Sequence, residues 1–271
     1  MRGGRRAALV AGLAATLVAG CGGGGSEKKA DAACAKAADT NALAIEAHPT
    51  IYGRSNAAVA EATAQADQQE LARLSALKAP SGKQSTWRQY LGTVRAMLAV
   101  DQKSVAVERK LAGKTNVTAQ AGTPRSAVNS ERAALRQRGF ALASKLGFKD
   151  CAGGGGTTRD SDEIKQVNTT LQTTNKSSNC TKYMTRSYVT FEFDNLASCR
   201  KQVSSPQGLG KPPTYPRRAQ IVGSTGILLA DYHRGQGAPG TPLGRWTFFF
   251  FKAGGQWKVQ GQHPPGTTPP G

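Results

Sequence analysis

Apolar residues between positions 34 and 151 recur every three or four places, which is the spacing of one face of a helix. The pattern predicts four helices, separated by proline or glycine, at about residues 32–47, 56–78, 84–111 and 126–146. The third is the clearest, because its apolar side chains form one continuous stripe. Four helices with short connections predict an up-and-down four-helix bundle.

From residue 160 onwards the pattern changes. A polar helix comes first, and short helical pieces hold Cys180 and Cys199. Four strand-like runs follow: RAQIVG, TGILLADYH, RWTFFFFK and QWKVQGQ. Residues 223–224 fit a turn between the first two runs, although those runs can also form one bent strand, and residues 253–255 fit a hairpin turn. Helices followed by an antiparallel sheet predict an α+β domain at 160–263.

The run RWTFFFFK is apolar on both faces of the predicted strand. Trp246, Phe248 and Phe250 would point to one face, and Phe249 and Phe251 to the other. A strand that is apolar on both faces is buried on both, so we expect a central strand packed under a helix. Its second face is a candidate dimer or interdomain surface.

Two glycine runs divide the chain. The run at 153–156 predicts an interdomain linker at 152–159, and the run at 22–25 predicts a flexible tether at 21–33. The tail at 264–271, PPGTTPPG, lacks the side chains to pack a core and is expected to be disordered.

The N-terminus has the features of an export signal. Three arginines within the first six residues precede an uncharged stretch at 7–20, which is too short to span a bilayer. The stretch ends in VAGC at Cys21, which resembles the lipobox of bacterial lipoproteins. The resemblance implies that residues 1–20 are a signal peptide, that Cys21 carries a diacylglycerol, and that the protein is anchored outside the cytoplasmic membrane. A plain secretory signal with an incidental cysteine is the alternative, and the export route stays open.

The chain has five cysteines, and an odd count in an exported protein needs an explanation. Acylation of Cys21 leaves Cys34, Cys151, Cys180 and Cys199, which in an oxidising compartment predict two disulfides. Three pairings are possible. The division into two domains favours Cys34–Cys151 and Cys180–Cys199, and an even number of antiparallel helices would bring the first pair to one end of the bundle.

The formal net charge is +19, and it is spread evenly along the chain rather than concentrated in an arm. An even spread on an exported protein argues against nucleic acid as a partner. Anionic lipid head groups or wall polymers are candidate partners. A solvated basic surface without a specific partner is the alternative.

The order of elements after residue 160, ending in FFFFKAGGQWKVQG, resembles the nuclear transport factor 2-like, or SnoaL-like, fold. The residues that carry the resemblance are Trp246, Phe248, Phe250, Gly255, Trp257, Lys258 and Val259. The resemblance implies a cone-shaped α+β domain, with a curved antiparallel sheet wrapped around a helix and a mouth that holds an apolar ligand. Exported actinobacterial members often carry a cysteine pair that Cys180–Cys199 would match. Because this fold hosts both enzymes and non-catalytic proteins, it does not transfer an activity.

No catalytic constellation is found in the sequence. Asp231 and His233 are the most suggestive pair, because alternation along a strand places them on one face. We expect them instead at the exposed end of a strand, where water reaches Asp231. The three histidines are far apart and the cysteines are assigned to disulfides, so neither a metal site nor a cofactor is predicted.

The sequence thus predicts a non-catalytic envelope lipoprotein that binds an apolar small molecule or an envelope protein. Two alternatives stay open. One is a small-molecule isomerase or hydrolase of the SnoaL-like class that uses Asp231 and His233. The other is a structural spacer that holds the helices away from the membrane.

Overall fold

The computed structural model describes residues 24–50, 54–114, 123–205, 214–232 and 244–263. In these ranges eight α-helices precede a four-stranded antiparallel sheet, an α and β content that the sequence predicted. The helices are α1 Gly24–Ala47, α2 Ala57–Ser75, α3 Gln84–Leu111, α4 Pro124–Leu146, α5 Thr158–Thr173, α6 Asn179–Lys182, α7 Arg186–Phe193 and α8 Leu196–Val203. The strands are β1 Thr214–Val222, β2 Thr225–Tyr232, β3 Gly244–Ala253 and β4 Gln256–His263. We call α1–α4 the helical half and α5–β4 the sheet half.

In the helical half each helix packs against the next one along the chain. The helix ends carry the expected local signals. The side chains of Asn56 and Thr123 cap the first turns of α2 and α4, and Pro124 occupies the first position of α4. Gly147 ends α4 with a φ of 90°, a left-handed conformation that favours glycine.

Helix α1 begins earlier than the sequence predicted. The expected tether at 21–33 is wrong for residues 24–33, which are helical. One reason is that alanine, lysine and glutamate, which are good helix formers, make up six of the seven residues EKKADAA at 27–33. In addition, Ala30 and Ala33 are buried in the core of the helical half, so the added turns are held by packing.

Both disulfides pair the cysteines that the domain division favoured. Cys34 in α1 is bonded to Cys151, in the short 3-10 turn Asp150–Ala152 that follows α4, with their Cα atoms 5.3 Å apart. Cys180 in α6 is bonded to Cys199 in α8, with a Cα–Cα distance of 6.2 Å. The first bond ties the two ends of the helical half together, and the second joins two short helices of the sheet half.

The glycine run at 153–156, predicted as part of a linker, is fixed against β1. The Ile221 amide donates to Gly153 O at 2.9 Å, and the Gly155 amide donates to Ile221 O at 3.0 Å. A Cβ atom on Gly156 would lie 2.3 Å from Ile221 Cδ1, so the close approach requires glycine. The segment therefore acts as a docked connection between the halves, and α5 starts directly after it.

The sheet has the order β1-β2-β3-β4 with every neighbouring pair antiparallel. The first two runs are therefore a hairpin rather than one bent strand, and β1 begins at Thr214, four residues before the predicted run RAQIVG. Strand β3 is internal, as expected from its two apolar faces. On the first face, Leu228, Phe248 and Val259 form a core with the helices of the sheet half.

Helix α7 was not predicted. Its sequence, RSYVTFEF, is rich in β-branched and aromatic residues, which have weaker helix propensity. The Thr185 side chain caps its first turn, and Tyr188, Val189 and Phe193 are buried in the core. Tertiary packing thus overrides local propensity here.

The second face of the sheet lies towards α1. The Ser224 amide donates to Asp39 Oδ1 at 2.7 Å, and Gln260 Nε2 donates to Ala42 O at 2.9 Å. Glu46, near the end of α1, accepts hydrogen bonds from Ser187. Polar contacts from one face of α1 thus hold the sheet half against the helical half.

Candidate functional site

A cavity of about 560 Å³ lies between the helices of the helical half and the second face of the sheet. Its apolar wall includes Ile45, Val59 and Met97 from the helical half, and Phe191, Ile227 and Phe249 from the sheet half. This volume is within the usual range for small-molecule sites, about 300–1,000 Å³. Phe249 belongs to the β3 face that the sequence marked as an interdomain surface, and part of that surface therefore borders open space.

Charged side chains occupy inward positions in the helical half. On α2 the inward series is Ala60, Thr63, Asp67, Glu70 and Leu74, and on α3 it continues from Val94 through Met97, Asp101 and Glu108. On α4 it contains Arg125, Asn129, Arg132 and Arg136. The inward series of each helix thus changes from apolar to charged side chains along the stretch that borders the cavity. The sequence-based stripe on α3 missed this change, because it continued along Leu98, Val105 and Leu111, which are only half-buried.

Asp101 and Arg132 form an ion pair at the centre of this region. Asp101 is fully buried, and its Oδ1 accepts from Arg132 Nη2. Its other oxygen, Oδ2, has no hydrogen-bond partner within the described residues, and the same holds for Asn41 Oδ1. Burial, together with the charge of Arg136, lowers the pKa of Arg132 to about 10. Two residues that line the cavity thus each bury an acceptor without a hydrogen-bond partner within the described residues.

Arg136 lies one helical turn after Arg132 and lines the same cavity. Burial lowers the pKa of its guanidinium, and the charge of Asp67 offsets this only in part. Burial in turn raises the pKa of Asp67, against the opposing charges of Arg132 and Arg136. No hydrogen bond or ion pair within the described residues engages the Arg136 guanidinium.

Glu70 and Tyr90 form an uncharged wall beside the first disulfide. Glu70 Oε1 and Tyr90 Oη each lie 3.3 Å from Cys34 Sγ. Burial, reinforced by the negative charge of Asp67, raises the pKa of Glu70 to about 8. Burial also raises the pKa of Tyr90 well above its ordinary value. Both groups are therefore neutral at pH 7 and able to donate hydrogen bonds.

Glu108 and Arg125 hold the charged end of the cavity together. Arg125 donates to both carboxylate oxygens of Glu108, at 2.7 and 2.6 Å, and the Asn56 amide donates to Glu108 Oε2 at 2.9 Å. Burial raises the pKa of Glu108, but hydrogen bonds from Arg125 and Asn56 outweigh burial and leave the pKa below its ordinary value. This pair is fully engaged and therefore has a structural role.

The structure separates the residues that the sequence suggested for chemistry. Asp231 is 6 % exposed, so the expected water-reached strand end is wrong for this side chain. Leu228 and Ala230 lie in the core, on the face of the sheet that is covered by the helices of the sheet half. Register places Asp231 on the other face of the sheet. It is not among the described residues that line the cavity. His233 and the lipidation candidate Cys21 lie outside the described residues.

Two further searches concern only the described ranges. None of the helices there combines the length and apolar composition that crossing a bilayer requires. Nor do three or more histidine, cysteine or acidic side chains converge in those ranges to hold a metal ion.

No family model matches this chain. No curated protein and no solved structure matches it either. The site must therefore be interpreted from its own geometry.

One signal in the sequence pointed to this site. Asp67, Glu70 and Asp101 fall in register with apolar residues that face the interior of the helical half, at spacings of three, four and seven. Arg132 and Arg136 have the same spacing on α4. Charge at inward positions of several successive helices is unusual for a core that serves packing alone. It marks a polar interior before any coordinates are known.

Proposed function

We propose that this protein is a non-catalytic envelope lipoprotein that binds a small, largely apolar molecule in the cavity between its two halves. The lipid on Cys21 would hold it at the outer face of the cytoplasmic membrane. The proposed ligand site is on the outer face of the sheet, against the helices, and not inside the cone that the family resemblance implied.

The finer architecture is part of this proposal. We regard α1–α4 as an up-and-down four-helix bundle, which is supported by the packing of each helix on the next and by the disulfide between the two ends. We regard the sheet half as a cone of the nuclear transport factor 2-like type. Its support is the sheet order and the helices packed on one face.

The observation that carries the proposal is an open cavity with an apolar wall and buried, partly unsatisfied charge. Replacing a buried ion pair with well-packed apolar residues is often neutral or stabilising. The pair Asp101–Arg132 is thus poorly explained by stability alone, and an open acceptor at Asp101 Oδ2 adds a further penalty. A ligand that fills the cavity would account for both.

The two alternatives gain less support. The enzyme hypothesis needs Asp231 and His233 to face a substrate. Asp231 shares the sheet face of Ile227 and Phe249, but it is not among the described residues that line the cavity. The spacer hypothesis requires only length and rigidity, so it gives no reason for a cavity of about 560 Å³.

Two glycines provide a matched test of the cavity. Gly139 on α4 borders it, and a Cβ atom there would meet only Thr93 Cγ2, at 3.9 Å. Gly92 on α3 is exposed, and a Cβ there would meet nothing within 4 Å. Gly139→Leu is expected to fill the cavity and to weaken binding of decan-1-ol at least tenfold by calorimetry, and Gly92→Leu is expected to leave it unchanged. Equal affinity of both variants for decan-1-ol would contradict the proposed site. A failure of the unchanged protein to bind decan-1-ol would also contradict it.

The anchor is tested separately. Cys21→Ser should release the protein from membranes and abolish fatty-acid labelling, because the thiol that carries the lipid is gone. Retention of this variant in the membrane fraction would contradict the lipoprotein assignment without affecting the cavity. The same variant needs no detergent, and it is therefore the background in which ligand binding is best measured.

A further inference from the structure

We infer that the ligand carries an anionic oxygen group, a carboxylate or a phosphate, that is bound by the guanidinium of Arg136. This inference rests on the proposed function and specifies the class of molecule that the cavity takes. The ligand is an amphipathic acid, with its apolar body against the sheet side of the cavity.

The first argument concerns the state of Arg136. Arg132 and Arg136 are neighbours on one face of α4, because residues four apart in a helix lie one above the other. Arg132 is engaged by Asp101. Arg136 has the carboxyl group of Asp67 and the like charge of Arg132 nearby, and no hydrogen bond within the described residues. Arg136 is half-buried and lines the cavity, so its donors need acceptors from the cavity's contents. An anion in the cavity would supply them.

The second argument concerns shape. A guanidinium presents its N–H donors in a flat fork, which fits two oxygens of a carboxylate or phosphate. Two groups at the cavity wall add donors without adding negative charge, because Glu70 and Tyr90 are both neutral at pH 7. The polar side of the cavity therefore offers donors to an anion.

The third argument weighs a cation as the alternative ligand. Asp101 Oδ2 and Asn41 Oδ1 are buried acceptors without a hydrogen-bond partner within the described residues, and a cation is the other kind of ligand that they would attract. The cation would then lie beside the positive charge of Arg132, which already neutralises Asp101. It would also face the positive charge of Arg136, with little carboxylate charge nearby to offset the repulsion. A hydroxyl group or a water molecule satisfies the same acceptors without that repulsion. The balance of charge thus favours an anion.

The apolar body has its own surface. Ile227 and Phe249 on the sheet and Phe191 on α7 line the cavity on the side across from the helical half. Arg136 projects from α4, which belongs to the helical half. A molecule with an anionic end and an apolar end can therefore contact both walls at once.

The test compares three ligands that share one alkyl chain: decanoate, decyl phosphate and decan-1-ol. Calorimetry at physiological salt, which limits attraction by the basic surface, should show at least one of the two anions binding roughly 10- to 100-fold more tightly than the alcohol. The anion that is preferred identifies the head group as carboxylate or phosphate. Arg136→Gln should abolish the preference and leave binding of the alcohol nearly unchanged.

Arg138→Gln is the matched control, because Arg138 lies on the same helix and is exposed. It removes the same charge and should keep the preference. If Arg136→Gln fails to fold by circular dichroism, Arg136→Lys replaces it. That variant keeps the charge without the planar fork and should reduce the preference several-fold.

The outcomes separate this inference from the proposed function. Equal affinity for the alcohol and both anions would overturn the anionic group and leave the cavity site standing. The anionic group would also be overturned if the Arg136 variants kept the full preference for the anion over the alcohol. The same holds if Arg138→Gln lost this preference as completely as Arg136→Gln. No binding of any of the three ligands would contradict the cavity site and this inference together.

Discussion

The two halves of the molecule bury different kinds of side chain. The buried core of the sheet half is a continuous apolar cluster with a small pocket of about 10 Å³ at its edge, and this half also buries Asp231. The helical half buries Asp67, Asp101, Glu108 and Arg132, and it borders a cavity of about 560 Å³. The sheet half is thus packed in the way that stability requires, and the helical half gives up part of its packing. This difference supports the proposed ligand site in the space between α1–α4 and the sheet rather than within either core.

If the helical half is the less well packed of the two, it should depend more on its disulfide. Removing a disulfide enlarges the unfolded ensemble more when the closed loop is longer. The helical-half bond joins residues separated by 117 positions, and the sheet-half bond joins residues separated by 19. The double variant Cys34→Ser/Cys151→Ser should lose about 5 kcal/mol of unfolding free energy, against about 3 kcal/mol for Cys180→Ser/Cys199→Ser.

Urea unfolding followed by circular dichroism measures both values. A larger loss for the sheet-half bond would break the comparison, because it would show that the apolar core depends more on its covalent bond. Reduction of the unchanged protein is expected to give a loss at least as large as that of the first double variant.

Buried ion pairs should also behave differently in the two halves. Arg132→Met leaves Asp101 buried without its partner and is expected to lower the unfolding free energy by about 3–5 kcal/mol. In the sheet half, Lys252 pairs with Asp160 at 2.6 Å, but Lys252 is partly exposed and Asp160 also accepts from Trp257. Lys252→Met is therefore expected to lower the unfolding free energy by only about 1 kcal/mol.

The double variant Asp101→Leu/Arg132→Met separates stability from function. It removes both charges together, so its stability should be close to that of the unchanged protein or above it. We expect its binding of decanoate and decyl phosphate to be altered all the same, because Arg136 and Asp67 lose their charged neighbours. A double variant as unstable as Arg132→Met would mean that the pair is retained for folding.

The sequence predicted most helices and strands, but it did not predict the cavity that lies between the two halves. Helix α3 was predicted over the residues that form it, because its apolar stripe is long and begins with Trp87. Both disulfides followed from the division at the glycine run. Helix α7 was missed because its residues favour strands, and only burial of Tyr188 and Phe193 explains its conformation.

The candidate site was missed for a different reason. A charged residue in a helix is usually on the solvated face, and Asp67 or Arg136 alone gives no reason to think otherwise. Only the side-by-side packing of α2, α3 and α4 brings their inward charges together. The cavity also depends on how the sheet lies against α1, through contacts such as Asp39 to Ser224 that join residues far apart in the chain. Periodicity within one helix carries no information about such contacts.

The two halves are also expected to have opposite pH dependence. In the helical half, the carboxyl of Glu70 has a pKa of about 8 in the folded protein and about 4.5 when unfolded. Between these values the unfolded state binds fewer protons than the folded state, so the unfolding free energy falls as pH rises. In the sheet half, the hydrogen bond from Lys252, with that from Thr157, lowers the pKa of Asp160, so its contribution is lost as pH falls below about 4.

Glu70→Gln isolates the first of these effects, because glutamine stays neutral at every pH. The variant should have the same unfolding free energy as the unchanged protein near pH 4.5. At pH 8 its unfolding free energy should be higher by on the order of 1–3 kcal/mol. This gain is less than the free energy that corresponds to the whole pKa shift, because Glu70 borders a cavity. Glu61→Gln, on the exposed face of the same helix, should show no such gain. Asp67 has a raised pKa for the same main reason, burial, so part of the slope should persist in Glu70→Gln.

Urea unfolding at pH 5, 6, 7 and 8 measures the slope. If Glu70→Gln and the unchanged protein have parallel profiles, Glu70 is ionised in the folded state and the cavity wall beside Cys34 is charged, which would weaken the case for an anionic ligand at Arg136.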